Sequence, residues 1–321
     1  MAAALSQTCK TVYAWIIPIL YSTVVLTTPT QAASFQRAVL TSFNSDSEGH
    51  TTATRLTERP LHTYVHHLWV GRNRRSRANR TGTRPQLGGT GRERVGQTII
   101  GRSRLWNATL GIVELCPSLR TLAMIGYPAT IIGVIVPHLP VTLESLSIRV
   151  RNHATLDLPD ISHLTALRDI VFVHTELTDK TVCLLLRSPS VQSITHLYNC
   201  SRPMPPDLGF PPDSKWDNDN LGMGVCQLRL VGKHASRGFK RMRIVSLFGR
   251  DTSAETELSG LQDYMASDVY DARIVVSAKE GCDGSGGMDH IKRWYDDWVA
   301  GLGHASRSCV PLTQEHPSWD L

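Results

Sequence analysis

Stepping 24 residues at a time from Leu122 reaches Leu146, Ile170 and Ile194, and the same step from Leu119 reaches Leu143, Leu167 and Val191. Each pair belongs to one short pattern, apolar-x-x-apolar-x-apolar: Leu119, Leu122, Met124; then Leu143, Leu146, Ile148; then Leu167, Ile170, Phe172. A fourth copy, Val191, Ile194, His196, ends in a histidine. A motif at fixed spacing demands the same local structure at every copy. In an extended strand side chains alternate, so Leu122 and Met124 share one face while Thr121, Ala123 and Ile125 share the other. A 24-residue unit cannot bury its apolar face alone, but stacked units merge theirs into one core. Single hits come cheaply in a chain that is 41% hydrophobic; four in one register do not.

Repeats of 20–29 residues built on L-x-x-L-x-L mark leucine-rich repeats. The expected class is therefore α/β, a solenoid of parallel strands joined by helical or irregular return segments. Leu156, Leu158 and Ile161 lie in a proline-broken return, whereas 177–186 reads as a helix with Thr178 or Asp179 as its cap. Pro117, Pro140 and Pro189 stand shortly before strands, where a residue without a backbone donor suits a corner. The outward strand positions would form a binding array: Thr121, Ala123, Ile125; Ser145, Ser147, Arg149; Asp169, Val171, Val173; Ser193, Thr195, Leu197. Mixed and weakly charged, such an array suits a protein or peptide better than a polyanion.

Formal charge is +6, but ten arginines lie between Arg72 and Arg104 against one acid, Glu93, so the rest of the chain is mildly acidic. That segment lacks apolar periodicity and reads as a disordered insertion; the basic run Gly71–Arg77 leaves a nuclear import signal or an RNA-contacting arm as the alternative. Nucleic acid is not the expected partner of the whole, because the basic residues are not spread over folded elements among aromatic readers. Seven cysteines show no C-x-x-C pair, which fits reduced thiols in a cytoplasmic or nuclear protein.

Residues 12–26 are the most apolar run, too short to span a bilayer and broken by Pro18. With Lys10 before it and Gln31-Ala32-Ala33 after it, the run also suits a secretory signal, and the sequons at Asn79, Asn107 and Asn199 would fit a secreted leucine-rich-repeat protein. The other reading rests on Ala4-Leu5-Ser6-Gln7-Thr8-Cys9-Lys10-Thr11-Val12-Tyr13-Ala14-Trp15, followed by Ile17-Pro18-Ile19-Leu20-Tyr21, and on Tyr64–Gly71 and Leu115–Leu122. These stretches resemble, in order, the F-box and leucine-rich-repeat proteins of mushroom-forming fungi. The resemblance implies an F-box whose last helix opens into the first strand, and a substrate-recognition subunit of a cullin-type ubiquitin ligase. It also implies a Skp-type adaptor facing Leu5, Cys9 and Val12. The family's leucine-proline start and two preceding helices are missing from this sequence, so the resemblance implies a shortened or degenerate F-box.

After Cys200 the register stops in the proline-dense stretch 201–213. Further strands are expected at 226–231, 242–248 and 272–277, with a helix over 253–268. Ile291, Trp294, Tyr295, Trp298 and Leu302 recur at steps of three and four, the stripe of an amphipathic helix that would cap the solenoid's end or bind a partner. The resulting division is 1–26, F-box remnant and first strand; 27–71, irregular repeats; 72–104, insertion; 105–200, regular repeats; 201–220, proline-rich loop; 221–302, irregular repeats and capping helix; 303–321, tail.

No catalytic constellation emerges, and no enzyme, cofactor or metal is expected. Gly281–Gly287 lacks the lysine of a phosphate loop and the G-x-G-x-x-G order of a dinucleotide site. His66-His67 has no carboxylate or cysteine at ligand spacing, and no G-x-S-x-G elbow marks a nucleophile.

Overall fold

A computed structural model describes residues 10–47, 60–71, 91–151, 154–199, 225–248, 271–280, 294–296 and 298–300. Eight strands form one sheet: β1 (Thr23–Leu26), β2 (His67–Gly71), β3 (Thr121–Tyr127), β4 (Ser145–Val150), β6 (Asp169–Val173), β8 (Ser193–Asn199), β9 (Arg241–Phe248) and β10 (Ile274–Glu280). They lie side by side in chain order, and every pairing is parallel. Two short strands, β5 (Thr155–Leu156) and β7 (Glu176–Leu177), pair beside the sheet.

The 24-residue step is a structural register. Leu122, Leu146, Ile170 and Ile194 are direct partners across β3, β4, β6 and β8, and the row continues through Leu68 and Val24 on one side and Met242 and Ile274 on the other. Exposure in this row is near zero at the centre and rises only at the ends, to 8% at Val24 and 6% at Ile274, as expected where a stack loses one neighbour. The backbone repeats too. The carbonyls of His66, Arg120, Glu144, Arg168 and Gln192 each accept two N–H groups from the next strand's entry, at 2.7 to 3.1 Å. Each strand thus starts one rung further along by the same pair of bonds.

That ladder includes two rungs that a single step of 24 does not reach. Val65, Leu68, Val70 and Phe239, Met242, Ile244 carry the same apolar spacing and are all buried, but stand 54 residues before and 48 residues after their neighbours.

Return segments pack on one face. They include helices α2 (Pro29–Ser47), α3 (Gly91–Leu115), α4 (Ala129–Ile135), α5 (Asp179–Arg187) and α6 (Val225–His234), while helix α1 (Lys10–Ser22) precedes the first strand. Ala32, Ile112, Ile132, Leu185 and Val231 from these helices join the inward strand residues in a single core. Helix α5 starts as its sequence suggests: Thr178 Oγ1 accepts the Thr181 N–H at 3.1 Å. Thr178→Ala is expected to cost about 1 kcal/mol and Thr178→Ser much less, read from denaturant unfolding midpoints.

Several expectations need correction. Residues 91–104, read as part of a disordered insertion, form the first half of α3. Leu105, Ala108 and Ile112 anchor that helix at helical spacing, and extending a formed helix through arginine, a good helix former, costs little. Ile17–Tyr21, expected to open the first strand, completes α1 instead, and the strand begins at Thr23. The strand expected at 226–231 is helix α6. Its buried positions, Leu228 and Val231, are three apart, and Gln227 Nε2 donates to the Leu177 carbonyl at 2.8 Å and to Asp179 Oδ1 at 2.7 Å, tying α6 to α5. The strands at 242–248 and 272–277 correspond to β9 and β10. The helix expected over 253–268, residues 281–287, the 201–220 loop and the tail lie outside the described residues.

Candidate interaction face

Alternation puts three rows on the sheet face opposite the helices. The first runs Thr23, His67, Thr121, Ser145, Asp169, Ser193, Arg241; the second Val25, Trp69, Ala123, Ser147, Val171, Thr195, Arg243, Val275; the third includes Gly71, Ile125, Arg149, Val173, Leu197 and Val245. The twelve residues expected to form a partner array therefore do share one face. Their accessibility is uneven. Asp169 is exposed; Thr121, Ser145, Arg149, Val171, Ser193, Thr195 and Leu197 are half-buried. Ala123, Ile125, Ser147 and Val173 are buried, which corrects the expectation that all twelve form a binding array.

For Ala123 and Ile125 the cover is aromatic. Trp69, Ala123, Ile125 and Trp298 form a second apolar cluster, with Val25, Trp294 and Tyr295 packed against it. Trp69 is the hub: the Trp294 and Tyr295 rings each lie 4.9 Å from it, tilted by 49° and 84°, and Trp298 lies at 5.2 Å and 62°. Such tilted and edge-on contacts set the positive edge of one ring against the negative face of another. Trp294, Tyr295 and Trp298, part of the stripe expected to cap the last repeat, thus lie over β2 and β3, with β10 at the opposite edge of the sheet. Ile291 and Leu302 of that stripe, like Leu5 and Cys9, are outside the described residues; Val12 lies in α1.

Sequence reasoning missed Trp69, Arg241 and Arg243. Trp69 sits between inward Leu68 and Val70, so alternation alone could have placed it outward; Arg241 and Arg243 required the 48-residue step.

At the row's edge, His66 Nδ1 pairs with the Ser118 carbonyl at 3.1 Å, which makes it the donor, and His67 Nδ1 pairs with Thr121 Oγ1 at 3.0 Å. Burial, reinforced by the charges of His66 and Arg120, pushes the His67 imidazole down to about 4, so it is neutral at physiological pH. A folded-state value below the unfolded 6.5 means that the unfolded chain takes up protons first as pH falls. The stability gained from neutral His67 is complete above about pH 6.5 and declines toward pH 4. His67→Asn should flatten this part of the stability profile, measured by denaturant midpoints between pH 7.5 and 4.5.

Cys116 is buried and its thiol is pushed up to about 12 by desolvation, so it is inert. A shallow, mostly apolar depression of about 530 Å³ beside α5 is lined by Ile161, Lys180, Cys183, Leu184 and Arg187. Among the described residues, no three His, Cys, Asp or Glu side chains gather as a metal site, and no helix is long and apolar enough to cross a membrane. A scan against protein-family models matches no family, and a search of curated proteins finds no similar one.

Proposed function

We propose that the chain is a leucine-rich-repeat solenoid that binds another protein or peptide on its helix-free face, as the substrate-recognition subunit of a cullin-type ubiquitin ligase or a degenerate relative of one. The observation that carries the binding half is the first row, in which Thr121, Ser145, Asp169, Ser193 and Arg241 stand on successive rungs with solvent access. Rungs are about 4.8 Å apart, so these five positions span roughly 19 Å, the footprint of a short peptide segment. Hydroxyl groups at Thr121, Ser145 and Ser193, with Asp169 and Arg241 on either side of Ser193, offer both signs of charge and uncharged donors. That mixture supports polypeptide recognition over a polyanion, whose binding needs clustered positive charge.

The ligase half rests on the resemblance of 4–26 to the end of an F-box. A helix, α1, running directly into the first strand, β1, supports it. Co-purification of the full chain with a Skp-type adaptor tests that half, and absence of a complex would remove the ligase role. Cross-linking to a captured partner tests the binding half. Asp169→Lys with Arg241→Glu should abolish the cross-link while Lys233→Glu, on α6, leaves it; equal loss or equal retention would refute the face.

A further inference from the structure

We propose that Trp69, Ala123 and Ile125 form a seat for an amphipathic helix with aromatic residues at i, i+1 and i+4, and that the chain's own Trp294, Tyr295 and Trp298 occupy it until a partner helix of that kind displaces them. This deepens the reading of the helix-free face as an interaction surface and rests on it.

Place is the first support. Trp69 and Ala123 lie in the same row as Val171, Thr195 and Arg243, so the aromatic segment covers one end of the surface whose other end stays accessible. Separation is the second. The cluster shares no residue with the main core and sits on the other side of the sheet, so removing the segment uncovers the seat without opening the core. Imperfect fit is the third. Trp298 Nε1 is buried and makes no hydrogen bond, a burden on the bound state that a partner lacking this buried donor would not carry. The segment is also one-sided: Asp296, Val299 and Ala300 face water while the rings face Trp69. An aromatic-anchored helix laid on an apolar surface is a recurrent way for one protein to hold another, and tryptophan and tyrosine dominate such anchors. Tethering gives the resident segment a high effective concentration, so a partner must bind the open seat more tightly than the segment does.

The test uses the full chain with Trp294, Tyr295 and Trp298 all changed to alanine, and a fluorescent peptide carrying the sequence of residues 290–302. The opened variant should bind the peptide at least tenfold more tightly than the natural chain, and adding Trp69→Ala should erase the gain. No binding by the opened variant, or binding unaffected by Trp69→Ala, overturns the proposal. Hydrogen exchange on the unaltered chain serves as a check independent of variant folding. Amides at 294–300 should exchange at least 100-fold faster than those of β3 and β4; exchange in step with those strands would mean that the segment opens only on global unfolding. Neither measurement touches Asp169 or Arg241, so the wider face stands or falls separately.

Discussion

Phe172→Ala should lower the free energy of unfolding by about 3–5 kcal/mol, the loss typical of a large aromatic removed from a rigid core. Phe172 is fully buried on β6 and flanked in its row by Ile148 and His196, whose ring centroid is 6.5 Å away. Its neighbours belong to adjacent strands tied by backbone hydrogen bonds on both sides. They cannot move in to fill the hole without breaking the register that the paired carbonyls enforce. Stability of a stacked architecture is close to a sum over neighbouring interfaces, so a defect at β6 weakens two of them. Denaturant unfolding would show the loss against Val141→Ala, a 57% exposed site that should change little. A loss below about 1 kcal/mol for Phe172→Ala would mean that this row is not a tightly packed core.

Gly71→Ala is the second large effect, expected at about 1–3 kcal/mol through overpacking. A Cβ at Gly71 would run into the Ile125 Cβ and stand 2.7 Å from the Ile125 carbonyl oxygen and 3.0 Å from its Cα. Two of those atoms are backbone of the paired strand β3, so relief requires the strands to separate. Gly71 also has φ +156°, a conformation that side chains rarely adopt. Because Ile125 forms part of the aromatic seat, the substitution should alter near-ultraviolet circular dichroism of the tryptophans as well as stability. Gly133, inside α4, is the contrasting site: nothing stands within 4 Å of its would-be Cβ, and Gly133→Ala should stabilise by up to about 1 kcal/mol. Equal effects at both glycines would refute the steric account.

Much of the architecture could be read in advance because the signals were local. Leu146 and Ile148 alternate with Ser145 and Ser147 inside one strand, and Thr178 stands one residue before the helix that it caps. The failures share a cause. Leu228 and Leu230 alternate as a strand would, yet α6 is a helix packed on α5, and a window that short carries both periods. Trp69 and Arg241 were missed because their spacings to the neighbouring rungs, 54 and 48 residues, are not the single step of 24, although the rung itself is unchanged.

Within the regular repeats, the amino-acid order alone determined where β3, β4, β6 and β8 run, which side of each is apolar, and that successive copies stack, since repetition and alternation are properties of neighbouring residues. Which part of the outer face is open was decided only by the tertiary structure. Trp69 and Trp298 are separated by 229 positions yet meet at 5.2 Å. No local pattern near either tryptophan encodes the other, because their contact arises only once the sheet between them has formed.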